Sequence, residues 1–164
     1  MDERRDALIA LGGNVGNVPD TFDKAVAKLC DGHSVWLKKR SSNYRTPPWG
    51  VQDQPPFLNA AIEVATVLSP EDLLGRIKNV EKEFGRDRTR ERRFGPRTID
   101  LDLLAYDDVV RDTGDLTLPH PRLFERAFVL VPLAEIAPDR MIGGIRVSDA
   151  LTRMDTGGIE KLVG

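Results

Sequence analysis

The amino-acid sequence predicts an α/β fold, an α+β sandwich in which helices pack against a four-stranded sheet. Two observations lead to this prediction. Apolar runs of strand length are interspersed with two segments whose apolar residues recur at helical spacing. Glycines and prolines separate these segments. The chain has 164 residues, enough to bury a core, and we predict a single domain over residues 1–164.

The first half of the chain predicts a strand, a helix and a second strand. The apolar run at residues 7–11 predicts a strand that ends in the glycine turn of residues 12–14. Residues 19–32 have apolar positions at helical spacing between a proline and a glycine, which predicts a helix. Residues 34–44 predict the next strand, and residues 46–56 contain too many prolines and glutamines to be regular.

The second half repeats the pattern. Residues 58–68 alternate well enough for a long strand. Ser69 as cap and Pro70 at the first position begin a helix that runs to about Phe84. Residues 98–105 predict the fourth strand. The order strand-helix-strand-strand-helix-strand is the βαββαβ core of ferredoxin-like folds.

Beyond this core, the sequence predicts additions at one end of the sheet. They are a proline-rich loop around Pro119 and Pro121 and a C-terminal helix at residues 128–136. The sequence assigns no functional role to residues 140–164. Residues 85–96 have little apolar content and predict a mobile, arginine-bearing loop.

Composition excludes several classes of protein. A net charge of −2 does not favour a nucleic-acid partner. Cys30 is the single cysteine, so no intramolecular disulfide forms, and two histidines are too few for a typical zinc site. No apolar run approaches membrane-spanning length and the N-terminal residues lack a signal-peptide pattern, so we expect a cytoplasmic protein without a membrane partner.

The most informative motif is a pair of carboxylates in the fourth predicted strand. Alternate residues of a strand share a face, so Asp100 and Asp102 point the same way, about 7 Å apart, while Ile99, Leu101 and Leu103 point into a core. Like charges beside a core are costly unless they are compensated. Mg²⁺ would compensate them, because it takes carboxylate oxygens together with substrate phosphates. The alternative is the solvated face of an edge strand.

An arginine-rich run leads directly into this pair. Guanidinium groups bind phosphate oxygens in a planar fork. Basic and acidic groups this close can share one anionic ligand and its metal ions, so the sequence predicts a metal–polyphosphate site. The arginines of the run are Arg86, Arg88, Arg90, Arg92, Arg93 and Arg97.

Further motifs, taken together in their order and spacing, resemble the 6-hydroxymethyl-7,8-dihydropterin pyrophosphokinase family of the folate pathway, over nearly the whole chain. These motifs are Gly12-Gly13-Asn14, Tyr44-Arg45-Thr46-Pro47-Pro48, Gln52-Asp53-Gln54-Pro55, Phe57-Leu58-Asn59-Ala60-Ala61, Gly95-Pro96-Arg97-Thr98-Ile99-Asp100-Leu101-Asp102 and Leu118-Pro119-His120. The family has a ferredoxin-like fold, in agreement with the element order.

The resemblance implies an enzyme that transfers diphosphate from ATP to 6-hydroxymethyl-7,8-dihydropterin and releases AMP. It implies two Mg²⁺ ions held by Asp100 and Asp102, and Arg86 and Arg97 as catalytic arginines. Asp102 is the better placed of the two aspartates to help activate the substrate hydroxyl. The implied partners are these two small-molecule substrates, and the implied state is a monomer.

The resemblance also implies two sets of binding residues. A pterin is a flat heterocycle that needs aromatic faces and an amide edge, although Phe57 and Phe128 could equally be core residues and His120 a surface loop residue. The implied pterin set is Gly12, Thr46, Pro47, Pro48, Trp49, Phe57, Asn59, Asp100 and Phe128. The implied ATP set is Leu74, Lys78, Glu81, Arg86, Arg88, Arg93, Phe94, Arg97, Leu103, Thr117, His120 and Arg126.

The chain departs from the family pattern at a few positions around the nucleotide. These departures affect details of ATP affinity rather than the reaction. They are Gly13 for a usual serine, Lys78 for a common glutamine, Phe94 for tryptophan, Asp115 for a basic residue and Pro121 for tyrosine.

Two other functions remain open from the sequence. Ferredoxin-like sheets bind RNA through exposed aromatic residues, but this chain lacks an aromatic-rich strand of that kind. A regulatory domain that binds a nucleotide without catalysis is the other alternative, and it would not need the intact aspartate pair.

Overall fold

The computed structural model describes residues 3–46, 55–85 and 98–162. The strands and helices follow the chain in an order that contains the predicted βαββαβ core. They are β1 (Arg5–Gly13), α1 (Val18–Leu29), β2 (Val35–Arg40), β3 (Tyr44–Thr46), β4 (Phe57–Thr66), α2 (Pro70–Glu83), β5 (Asp100–Tyr106), β6 (Arg111–Asp112), β7 (Thr117–Leu118), α3 (Ala127–Ile136), β8 (Met141–Ile142), β9 (Ile145–Arg146), α4 (Val147–Leu151) and β10 (Glu160–Lys161), with a 3-10 turn at Leu123–Glu125 before α3.

The main sheet is antiparallel, with the order β10-β3-β4-β1-β5 and with β2 also paired to β4. The two central strands are therefore β4 and β1, and among the described strands β5 pairs with β1 alone. This is the strand order expected when two βαβ units are interleaved, and it confirms the predicted fold class.

Both faces of the sheet are covered. On one face, α1 and α2 pack through residues such as Phe22 and Ile77 against the odd-numbered positions of β1, among them Ile9 and Leu11. On the opposite face, α3 packs through Leu130 and Leu133 against the even-numbered positions of β1, and α4 belongs to the same core. The prediction that the C-terminal helix lies at one end of the sheet was wrong, because its apolar residues need a sheet face to be buried.

The predicted strand over residues 34–44 is broken in the structure. Residues 41–43 separate β2 from β3, and both strands pair with different parts of β4. Ser41 causes the interruption, since its backbone N–H donates to the Ala61 carbonyl while its hydroxyl accepts the Ala61 N–H at 2.8 Å. The Ser41 hydroxyl thus replaces a backbone carbonyl as the acceptor of the Ala61 N–H, and the strand is interrupted at this point.

The limits of other elements also differ from the prediction. β1 continues through Gly13 rather than ending at Leu11, and α1 begins at Val18 with the Asn17 side chain as its cap. β4 ends at Thr66, whose hydroxyl accepts the Leu68 N–H and donates to the Ser34 carbonyl. α2 has the predicted Ser69 cap. No described helix combines the length and apolar character that crossing a membrane requires.

Asp31 joins the end of α1 to β2 and α2. Its carboxylate accepts hydrogen bonds from the backbone N–H groups of His33, Ser34 and Val35 and from the Ser34 hydroxyl, and it lies 3.0 Å from the Arg76 guanidinium. Burial by itself raises the pKa of this carboxyl. The hydrogen bonds outweigh burial and hold the pKa well below its usual range.

We expect Asp31→Ala to lower the free energy of unfolding at neutral pH by about 1–3 kcal/mol, because three backbone donors lose their acceptor. Since the folded-state pKa is depressed, the contribution is full above the unfolded pKa of about 4 and is lost as the pH falls below it. Urea unfolding from pH 7 to pH 3 measures this difference. A difference from wild type that stays constant over this pH range would contradict the role of the ionised carboxylate, and the exposed Asp108→Ala is the control.

Candidate active site

The aspartate pair lies on β5 as the sequence predicts. Asp100 and Asp102 are half-buried, whereas Leu101 and Leu103 between and after them are buried in the core under α1 and α2. Asp102 is paired across the sheet with Ala10, a residue of the opposite core. Both carboxylates therefore project on the face that α3 covers, at the end of the sheet beyond that helix core.

Gly12 forms the floor between the aspartates and the neighbouring strand. It pairs with Asp100 on one side and with Asn59 on the other, which places the backbones of these two residues about 10 Å apart. A Cβ on Gly12 would come within 3.2 Å of Asn59 Oδ1. Gly12 is half-buried, and glycine avoids the close contact with the amide that any side chain would make at this point of the sheet face.

Asn59 is held in one orientation by its neighbour on β3. It is 7% exposed, and its Nδ2 donates to Thr46 Oγ1 at 2.9 Å. The Thr46 hydroxyl in turn donates to the Phe57 carbonyl at 3.4 Å. The Asn59 amide oxygen consequently points towards Gly12. Beside the floor at Gly12, Asn59 therefore offers its Oδ1 as an acceptor and its remaining Nδ2 hydrogen as a donor, both in a fixed orientation.

The start of α3 supplies the aromatic wall. Phe128 is half-buried and packs against the core between α3 and the sheet. The Arg126 guanidinium lies 5.8 Å from the centre of the Phe128 ring, a distance at which a cation is attracted to the aromatic face. Phe57 lies on the same face as Asn59, because the two are separated by one residue in β4.

His120 is fixed beside Asp100. Its backbone N–H donates to the Leu104 carbonyl of β5, and its Nδ1 accepts the Arg122 N–H at 3.1 Å. Burial lowers the pKa of the imidazole, Arg126 lowers it further, and Asp100 opposes both. The ring is therefore neutral at pH 7 and carries its proton on Nε2, where it can donate a hydrogen bond.

The remaining ATP residues that the structure describes lie around the outer edge of β5. Leu74, Lys78 and Glu81 occupy one stripe of α2, at helical spacings of four and three. Glu81 is buried, and its Oε2 accepts the Leu101 N–H at 2.9 Å. Thr117 lies in β7. The Leu103 side chain is buried in the core on the other face of β5, away from the aspartates.

Part of the predicted site lies outside the described residues. This part includes the arginine-rich loop, so the predicted mobility of residues 85–96 stays a prediction. The site residues concerned are Pro47, Pro48, Trp49, Arg86, Arg88, Arg93, Phe94 and Arg97.

Two contacts beside the site were not anticipated from the sequence. Asn14 Nδ2 donates to the Pro55 carbonyl at 2.9 Å and thereby ties the loop after β1 to the segment before β4. Glu135 of α3 accepts the Tyr44 hydroxyl at 2.6 Å and the Ser42 N–H at 3.0 Å. Glu135 is the only charged residue of α3, and that isolation in an apolar helix is the signal that could have identified it.

The carboxylates of Asp100 and Asp102 fit a metal ion that binds together with substrate phosphates. Within residues 3–46, 55–85 and 98–162, no three His, Cys, Asp or Glu side chains are grouped closely enough to hold a metal by themselves. Asp100 and Asp102 supply two carboxylates on one face beside the open floor at Gly12. Mg²⁺ commonly binds through one or two carboxylates plus substrate phosphates, whereas a resident zinc site needs more protein ligands.

Comparison with known proteins gives one consistent family. Residues 8–138 match the family model described as 7,8-dihydro-6-hydroxymethylpterin-pyrophosphokinase. A 2-amino-4-hydroxy-6-hydroxymethyldihydropteridine pyrophosphokinase of Methylorubrum extorquens is 47% identical over 156 residues, which cover 95% of this chain and 98% of that protein. The Bacillus subtilis protein of the same name is 48% identical over 130 residues, covering 79% of this chain and 77% of that protein.

Solved structures agree in fold. A Plasmodium falciparum HPPK-DHPS superposes with a TM-score of 0.72 at 13% identity, over 93% of this chain and 46% of that chain. This chain thus spans less than half of the solved protein. At this level of identity the likeness concerns the fold alone.

We expect His120 to titrate with a pKa below 6.5 in the folded protein, because burial and Arg126 both oppose its protonation. Arg126→Gln should raise this pKa, and Asp100→Asn should lower it further. Side-chain NMR titration measures both changes, and His33→Gln identifies the resonance of the other histidine. A His120 pKa at or above 6.5 in the wild-type protein would contradict the lowering of this pKa by burial and Arg126.

Proposed function

The chain belongs to the 7,8-dihydro-6-hydroxymethylpterin-pyrophosphokinase family, and we propose that the sheet face around Asp100, Gly12 and Asn59 is its active site. The protein is an ATP-dependent pyrophosphokinase of folate biosynthesis. It transfers diphosphate from ATP to 6-hydroxymethyl-7,8-dihydropterin, and the products are the pterin diphosphate and AMP.

The sheet order is the observation that supports this location. The aspartates lie on the edge strand β5. On their inner side, β1, β4 and β3 carry Gly12, Asn59 and Thr46 of the pterin set. On the outer side, α2 and the segment before α3 carry Lys78, His120 and others of the ATP set. The carboxylates therefore stand between the two substrates, where phosphate must pass from one to the other.

The pterin occupies the open floor in this proposal. Gly12 lets the flat pterin ring lie against the backbone. The Asn59 amide forms hydrogen bonds with the polar edge of the pterin through one acceptor and one donor. Phe128 and Phe57 provide aromatic faces, which prefer stacked or edge-on contacts with a ring. Thr46 fixes the Asn59 amide, so the site is ordered before the substrate binds.

Asp100 and Asp102 hold two Mg²⁺ ions in this proposal. The fit rests on the two carboxylates sharing one face next to the open floor. When bound, Mg²⁺ would supply positive charge that neutralises phosphate oxygens during the transfer.

The chain's own residues position the reactants. The pterin hydroxyl oxygen forms a bond to the β-phosphorus of ATP, the bond from that phosphorus to the bridging α–β oxygen breaks, and AMP leaves with the electron pair. We assign Asp102, which pairs with Ala10 next to the Gly12–Asp100 pair, as the residue that takes the hydroxyl proton. His120 donates from Nε2 to a phosphate oxygen, and Arg126 adds a positive charge beside it.

Arg86 and Arg97 complete the proposal as catalytic arginines. Both lie outside the described residues, and their assignment rests on the resemblance of the sequence. A guanidinium in the phosphate region would stabilise negative charge that develops during transfer. All assigned residues come from one chain, which is consistent with an active monomer.

Asp102→Ala tests the carboxylate assignment. We expect kcat to fall by at least about 100-fold, because losing electrostatic stabilisation at the reacting centre costs several kcal/mol. The measurement is ATP-dependent AMP release on adding the reduced pterin, with circular dichroism to verify folding. Asp108→Ala, at an exposed position just after β5, is the matched control. Turnover within threefold of wild type in folded Asp102→Ala would rule out the assignment.

Asn59→Ala tests the pterin side independently. We expect pterin binding to weaken by about 1–3 kcal/mol while ATP binding changes little, because a buried polar partner is left unpaired. Phe128→Ala should weaken pterin binding by at least about 0.5–1.5 kcal/mol. Calorimetric titrations with each ligand separate the two effects, and the exposed Asn79→Ala is the control. Equal losses for ATP and pterin would contradict a pterin-specific floor.

A further inference from the structure

Among the described strands, the strand that carries both aspartates lies at one edge of the sheet. In an antiparallel strand, alternate residues direct their N–H and C=O groups to the same neighbour. β5 is paired with β1, and the Leu101 N–H is taken by a side chain of α2 instead. The backbone between Asp100 and Asp102 therefore has its outward donor satisfied from outside the sheet, and it would be an orphaned buried group otherwise.

The acceptor is a carboxylate in an unusually buried position. Glu81 is 2% exposed, and its Oε2 lies 2.9 Å from the Leu101 nitrogen. A buried carboxylate carries a large desolvation cost unless its hydrogen bonds compensate it. Its neighbours on α2, Ile77 and Val80, are packed in the core with Leu101, so an apolar side chain would satisfy the packing at this position. The bond to the Leu101 N–H is one interaction that uses the carboxylate at this position.

α2 is a rigid support for this bond. The helix begins at a capped Ser69 and buries Leu73 and Ile77 in the same core as Leu103 of β5. Neither end of the Glu81 bond can move without moving a packed element. A charged acceptor also makes a bond to N–H about twice as strong as a neutral one.

We propose that Glu81 is a positioning residue: its bond to the Leu101 N–H sets the backbone of β5 so that Asp100 and Asp102 present their carboxylates together to divalent cations. This rests on the proposed metal role of the two aspartates. Residues that orient metal ligands from behind change metal affinity by about 10–100-fold when they are removed. The burial of Glu81 and its hydrogen bond to the Leu101 N–H of β5 favour a positioning role over direct contact with ATP.

The test measures Mn²⁺ affinity by electron paramagnetic resonance in the presence of a non-hydrolysable ATP analogue. We expect Glu81→Leu to weaken Mn²⁺ binding by about tenfold. Glu81→Gln keeps a neutral acceptor and should weaken binding by about two- to threefold. Glu83→Gln is the matched control, because Glu83 lies on the same helix with a half-exposed side chain near Lys28.

The amide proton of Leu101 gives a second readout that a general loss of stability would not move selectively. Its NMR resonance should shift upfield in Glu81→Gln and further in Glu81→Leu. Pterin affinity measured without metal should fall less than Mn²⁺ affinity in both variants. If Glu81→Leu does not fold, the Glu81→Gln result alone decides, with the same expected shift and the same two- to threefold weakening.

Several results would overturn the inference. One is unchanged Mn²⁺ affinity in the folded Glu81 variants. Another is a tenfold or greater loss of Mn²⁺ affinity in Glu81→Gln, since this would show that the negative charge of Glu81 itself contacts the metal or the ATP analogue. Asp102→Ala separates this failure from failure of the proposed function. If Asp102→Ala binds Mn²⁺ as wild type does, the metal role of the aspartates fails; if it loses Mn²⁺ while Glu81→Leu keeps it, only the positioning role fails.

Discussion

The structure depends on holding two carboxylates on one face of an edge strand. Unit charges about 7 Å apart repel by about 2 kcal/mol at an effective dielectric constant of about 20, and among the described strands β5 pairs with β1 alone. Two hydrogen bonds from outside the sheet hold the backbone of β5 in place. The Glu81 carboxylate accepts the Leu101 N–H, and the His120 N–H donates to the Leu104 carbonyl. The aspartates are thus presented by a strand that cannot shift or fray easily.

The two faces of the sheet have different tasks. The face under α1 and α2 is a continuous apolar core that contains residues such as Phe22 and Ile62. The face under α3 is divided: Leu130 and Leu133 cover the sheet near Ala10 and Ala61, while among the described residues this apolar core does not extend to Gly12. One face therefore provides most of the apolar burial that stabilises the domain, and the other leaves room for a flat ligand beside the aspartates.

The position of α3 links the open floor to the rest of the fold. Glu135 accepts a hydrogen bond from the Tyr44 hydroxyl, and Tyr44 pairs with Asn59 on the next strand. At the end of the helix, Lys39 Nζ donates to the carbonyl of Ile136. Phe128, the second residue of this helix, lies at the proposed site. The aromatic wall and the amide edge are consequently held by connected contacts, and a pterin would meet a site whose parts are already in place.

Local pattern in the sequence was enough to predict the order of the core elements, the shared face of Asp100 and Asp102 and the cap of α2, because each depends on residues close together in the chain. The motifs were enough to indicate the family, whereas the binding roles of Asn59 and His120 stay proposals. Only the tertiary structure decided that Ser41 breaks a strand, that α3 covers a sheet face, and that the two-residue strand β10 pairs with β3. It also decided that Thr46 orients Asn59 and that Glu81 supports β5. These features depend on hydrogen bonds and packing between residues far apart in the chain, and two-residue strands are too short for any periodicity to reveal them.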